Sequence, residues 1–238
     1  MTKASWPRAA AGALAGGTIA ALGGYAACAA AAWWRYGRVS PPRDDQRDER
    51  LDRFMPAFDI VERHEVVIAA PASVTMHAAR EQDLLQLPPV RAIFRAREIV
   101  LGAAADERPQ PRGLLDATLA LGWGVLADVP DREIVVGAVT RPWEPDVTFR
   151  ALPPDQFAAF AEPGLVKIAW TLRADPIDEG RSIFRTETRA IATDATARAR
   201  FRRYWAFASP GIVLIRRLSL GPLRREAERR AFTSPVES

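Results

Sequence analysis

Between Ala195 and Arg230 apolar residues return at steps of three and four: Phe201, Trp205, Ala208, Ile212, Ile215 and Leu218, widened by Tyr204, Phe207, Gly211 and Leu214. That period predicts a long amphipathic helix closing the chain. Arg198, Arg200, Arg202, Arg203, Arg216, Arg217, Arg224 and Arg225 supply its wet flanks, some laying their stems over apolar neighbours. Asp194 is placed to cap the first turn, since its carboxylate can accept from amides that have no intrahelical partner. Pro210 predicts a kink, and Gly221 with Pro222 predicts the end of the pattern, followed by a separate turn or two.

Two runs before this helix alternate instead. Val166, Ile168, Trp170 and Leu172 interleave with Lys167, Ala169, Thr171 and Arg173; Phe184, Thr186, Thr188 and Ala190 interleave with Arg185, Glu187 and Arg189. Period two predicts strands over 165–174 and 182–192, joined by a turn at Asp178, Glu179 and Gly180. One face is expected to be covered, the long helix being the available cover, and the other wet, with Arg185, Glu187 and Arg189 on it. Upstream, a strand is expected over 62–69 and a helix from Pro71 to Leu84. A second helix opens at Pro88 and Pro89 with Val90, Ile93, Phe94, Arg97 and Leu101 on its stripe. A polar break over 103–113 leads to strands over 122–129, 133–140 and 147–150, then a short helix from Asp155 to Ala161. Gly122 and Gly124 mark a bend or bulge.

The N-terminal region has a different pattern. From Ala9 to Trp34 there is no charged residue, a run long enough to cross a ~30 Å hydrocarbon core. Trp33, Trp34 and Tyr36 close it, as rings that favour the headgroup level. Residues 9–36 are therefore predicted as a transmembrane anchor after a tail over 1–8. A cleaved signal peptide is the rival, given Lys3, Arg8 and the small residues Ala29 to Ala32, but the apolar run exceeds the usual ~7–15 residues. Arg35, Arg38, Arg43, Arg47, Arg50 and Arg53 crowd the C-terminal flank, which assigns that side to the cytoplasm. Residues 37–57, with Pro41, Pro42 and dense mixed charge, read as a solvated linker. The folded domain is expected over 58–230, with a tail over 231–238.

Charged residues make up 26% of the 238 and hydrophobic ones 48%, ordinary for a globular domain. The net charge of +4 comes from arginine. No basic run is interleaved with aromatics in the manner of single-strand binders, so nucleic acid is not an expected partner. Cys28 is the single cysteine, which excludes an intramolecular disulfide and a multi-cysteine metal site. There is no nucleophile elbow, zinc-protease motif or phosphate loop. His64 and His77 read as structural, and no catalytic residue, metal or cofactor is assigned. The pocket candidates are apolar-face aromatics and hydroxyls: Trp123, Trp143, Trp170, Phe184, Thr186, Thr188, Tyr204 and Trp205. Filling a core and lining a ligand cavity both account for them.

The junction Val66-Val67-Ile68-Ala69-Ala70-Pro71-Ala72-Ser73-Val74, the strands around Trp123-Gly124-Val125-Leu126 and Arg132-Glu133-Ile134-Val135-Val136-Gly137, and the closing helix resemble the START-like superfamily, also called SRPBCC. The resemblance covers about residues 58–230. Thr75 stands where many members carry an aromatic, and the helical region before the second strand is longer than usual. The resemblance implies an α+β helix-grip fold: a curved antiparallel β-sheet wrapped around a long C-terminal helix, here preceded by an N-terminal transmembrane helix. It also implies a mostly apolar cavity for a hydrophobic small molecule or lipid. Some members are cyclases or hydrolases, so a polyketide cyclase or aromatase using a pocket Tyr, Thr or His is the second expectation.

Overall fold

The computed structural model describes residues 23–102 and 111–233. A helix over 23–35 (α1) leads to α2 (Glu49–Phe54), β1 (Ile60–Ile68), α3 (Ala72–Glu81), α4 (Pro88–Leu101) and α5 (Leu114–Ala120). Next come β2 (Gly124–Val129), β3 (Glu133–Thr140), β4 (Phe149–Arg150), α6 (Pro154–Phe157), β5 (Val166–Asp178), β6 (Arg181–Ala192) and α7 (Ala195–Thr233). The strands form one six-stranded antiparallel sheet in the order β1-β6-β5-β3-β2, with β4 paired to β3. The α+β architecture with its long C-terminal helix is as the pattern predicts; α5 is an addition. Gly122 makes the bend into β2 with φ of 100° and lies so close to the Phe149 carbonyl that a Cβ has no room.

Even-numbered positions of β5 and β6 face α3 and α7. Trp170, Leu172, Ala174 and Phe184 pack there with Ile68, Met76, Ile134, Val136, Leu223 and Ala227. A second cluster, Tyr36, Ile60, Val166, Ala190, Phe201 and Trp205, fills the other end of the same face. Asp194 caps α7 as expected: its Oδ1 accepts from the amides of Thr196 and Ala197 at 2.7 and 2.9 Å.

Helix α7 differs from its expected division. It continues through Pro210 and Pro222 to Thr233. Leu223 and Ala227 are buried in the main core, and Arg230 pairs with Glu81 of α3 at 2.7 Å. That packing outweighs the ~3 kcal/mol an interior proline costs. Phe207 and Leu214, counted in the apolar stripe, are exposed.

The face predicted to be wet is also covered. Ala169, Thr171, Glu187 and Arg189 are all buried beneath the segment predicted as a solvated linker. Leu51 and Met55 of that segment join Leu126, Val135, Phe157 and Ala169 in a third apolar cluster. The segment's charges have partners on the sheet: Arg50 to Glu133 at 2.8 Å, Asp52 to Arg189 at 2.6 Å and Asp45 to Arg185 at 3.0 Å. Residues 44–55 are thus a docked strap. The sheet is sandwiched, which is why every residue of β3 is buried.

The described part of the expected anchor belongs to the same body. Tyr25 packs edge-on to Phe207, Arg202 lies 4.1 Å from the Trp33 ring centroid, and Tyr36 meets Phe201 edge-on at 5.9 Å. Asp59 ties this end together, accepting from the Tyr36 hydroxyl at 3.2 Å and pairing with Arg198 at 2.7 Å. Among the described residues no helix is long and apolar enough to cross a membrane; residues 9–22 lie outside them.

Candidate functional site

Pairing of β1 with β6 sets Glu62 opposite Thr188 and His64 opposite Thr186, so these four polar side chains share the face under α7. Arg216 reaches them from α7. Its Nη1 donates to Thr186 Oγ1 at 3.1 Å and its Nη2 to Thr188 Oγ1 at 2.8 Å. The guanidinium also lies 5.5 Å from the Trp170 ring centroid, a cation–π contact that helps to offset its desolvation. Burial holds the Arg216 pKa down at about 10, with Glu62 acting the other way, so the group is charged at neutral pH.

His64 Nε2 is buried without a hydrogen-bond partner and lies 3.8 Å from Glu62 Oε2. Burial first, then the charges of Arg216 and Arg217, press its pKa down to about 4. The imidazole is therefore neutral at neutral pH. Burial raises the Glu62 pKa against the pull of Arg217, Arg35 and Arg216.

Glu62 also lines an open cleft of about 760 Å³ between α1, β1 and the middle of α7. Its origin lies in side-chain size. Ala27 and Ala31, four apart on one face of α1, present methyl groups where larger side chains would close the gap onto Trp205, Val213 and Leu214. The lining also carries four arginines, Arg35, Arg38, Arg63 and Arg217. The volume falls within the ~300–1,000 Å³ typical of small-molecule sites.

Of the sequence-predicted residues, Trp170, Thr186 and Thr188 meet at Arg216, and Trp205 forms part of the cleft wall. Phe184 lies in the main core, where Trp123 packs between Phe149 and Trp170. Trp143 and Tyr204 pack on the second cluster, Tyr204 stacked on Phe201 at 6.3 Å. Glu62, Arg35, Arg216 and Arg217 are the site residues that pattern reading passed over. His77 pairs with Asp131 on the surface at 2.9 Å.

A second void, beneath the strap, is bounded by Arg63, Arg173, Arg185 and Glu187 and measures about 40 Å³, room for about a water or two. Among the described residues no three His, Cys, Asp or Glu side chains converge as metal ligands would.

No family model and no curated protein matches the chain. Among solved structures, the chain is similar to a hypothetical protein from Helicobacter pylori at 9% identity and a TM-score of 0.37, covering 79% of this chain and 99% of that one. CalU16 from Micromonospora echinospora matches at 11% identity and a TM-score of 0.25, over 72% of this chain and 85% of that one. The Zhui aromatase/cyclase from Streptomyces sp. R1128 matches at 14% identity and a TM-score of 0.23, over 72% and 94%. Likeness at this level carries no conclusion about chemistry, and the architecture rests on the strand order and helices themselves.

Proposed function

We propose that this chain is a START-like, non-catalytic binding protein that holds a hydrophobic small molecule or lipid, attached to a membrane through the part of the uncharged stretch that precedes α1. The observation that carries the reading is the cleft of about 760 Å³ walled by Trp205, Val213, Leu214 and the α1 alanines. An occupant burying about 200 Å² of apolar surface there gains ~5 kcal/mol. Trp34, 65% exposed beside Arg35 and Arg38, suits a surface next to lipid headgroups.

Cyclase-type chemistry finds less support in this site. Thr186 and Thr188 already accept from Arg216, Tyr204 is stacked on Phe201, and a histidine with a pKa near 4 is a weak base at neutral pH.

Solvent extraction of the purified full chain followed by mass spectrometry tests the proposal. A near-stoichiometric amphiphile or apolar compound supports it. A chain that yields none, and that also fails to bind the neutral dye Nile red, contradicts it.

A further inference from the structure

The charges around the cleft do not balance. Among the described residues, Arg35, Arg38, Arg63 and Arg217 stand on its wall with Glu62 as the one carboxylate, and Arg216 lies behind Glu62 on the neighbouring threonines. Arg63, also on the wall, is matched by Glu187 at 2.9 Å. Among the described residues, Arg35, Arg38, Arg216 and Arg217 form no ion pair. Arg38 turns to the Trp34 carbonyl at 3.2 Å and its ring, while Arg35, Arg216 and Arg217 act together on Glu62.

Guanidiniums outnumbering carboxylates at one end of an apolar wall present the donors that a carboxylate or phosphate accepts from.

We infer that the occupant of the cleft is an amphiphile whose single anionic head, carboxylate or phosphate, lies against Arg35 and Arg217 beside Glu62. Its apolar body runs along Trp205, Val213 and Leu214. This rests on the proposed function, since it names the class of ligand for the same cleft. The head supplies the missing negative charge, while the alanines of α1 leave space for the chain.

Titration of the purified full chain with dodecanoate, dodecyl phosphate and dodecanol, followed by tryptophan fluorescence, tests the inference. The anions are expected to bind about tenfold more tightly than the alcohol, as a charge-assisted contact requires, and the tighter anion identifies the head. In the Arg35→Gln, Arg217→Gln double variant that preference disappears. Both side chains are exposed, and the variant's thermal unfolding is compared with that of the parent. Dodecanol binding as tightly as the anions, or a preference that survives in the double variant, overturns the anionic head and leaves the cleft as an apolar site. Failure of all three probes to bind a chain with a native unfolding transition overturns the cleft reading itself.

Discussion

Replacing Arg189 with methionine should cost about 3 kcal/mol of stability. Arg189 is 1% exposed. Its Nε donates to Glu187 Oε1 at 2.6 Å, and its Nη1 donates to Asp52 Oδ1 at 2.6 Å and to the Met55 carbonyl at 2.8 Å. The guanidinium also lies 4.6 Å from the Phe58 ring centroid. Removing one partner of a buried ion pair costs about 3–5 kcal/mol, because the remaining charge is left uncompensated. Here Glu187 keeps Arg63, at 2.9 Å, so the low end applies. Asp52→Asn is the comparison: that side chain is 51% exposed, and its loss should stay below about 1 kcal/mol. Urea unfolding of the full chain reads both. If Arg189→Met costs no more than Asp52→Asn, the strap does not lie on the sheet as described.

Three other outcomes follow from the same side chains. Burial, and then the neighbouring Asp48, raise the Glu133 pKa to about 7, and its Oε1 has no hydrogen-bond partner. The stability this group contributes is full below about pH 4.5, where the unfolded carboxyl is also protonated, and is lost as pH rises through 7. His64 works in the opposite sense. Its stabilising effect is present above pH 6.5 and is lost as pH falls through 4. The two largely offset each other in the parent chain. Relative to the parent, thermal melts of Glu133→Gln should therefore gain stability as pH rises from 4.5 to 7; His64→Leu should gain it as pH falls from 6.5 to 4. Parallel pH profiles for parent and variants would refute this. Arg216→Lys should lower stability by about 1–2 kcal/mol, since an ammonium cannot span Thr186 and Thr188 as the guanidinium fork does. A lysine variant as stable as the parent would show that the bridging is not what holds Arg216.

Much of the architecture was legible because periodicity reports on packing. The steps of three and four predicted α7, and the alternation of β5 and β6 separated Trp170, Phe184 and Thr186 from their neighbours. Alternation does not say whether the second face is covered. Ala169 and Thr171 among the charges of β5, and Leu51, Phe54, Met55 and Phe58 spaced within the charged stretch, were the available signals that strap and sheet meet. Density of charge concealed them, since Asp45 and Asp52 find their arginines far away in sequence, on β6. The end of α7 was misplaced because Pro222 is a local signal, whereas Leu223 and Ala227 are held by contacts with distant strands.

Thr186 and Thr188 could be read as inward hydroxyls, but their partner could not. Arg216 stands beside Arg217 on a helix, and nothing local tells which of the two turns toward the sheet. The cleft was equally hidden, because it arises from what the α1 alanines leave unfilled and from how that helix lies across α7.

The most direct test of the ligand cleft uses its single thiol. Cys28 is the one cysteine in the chain, is exposed and lies on the cleft wall, so its alkylation rate reports occupancy without any substitution. Dodecanoate should slow iodoacetamide modification of Cys28 in proportion to the fraction bound, measured by intact-mass spectrometry under conditions where thermal unfolding is unchanged. A rate that stays constant while dodecanoate saturates the protein would place the ligand elsewhere and contradict the account.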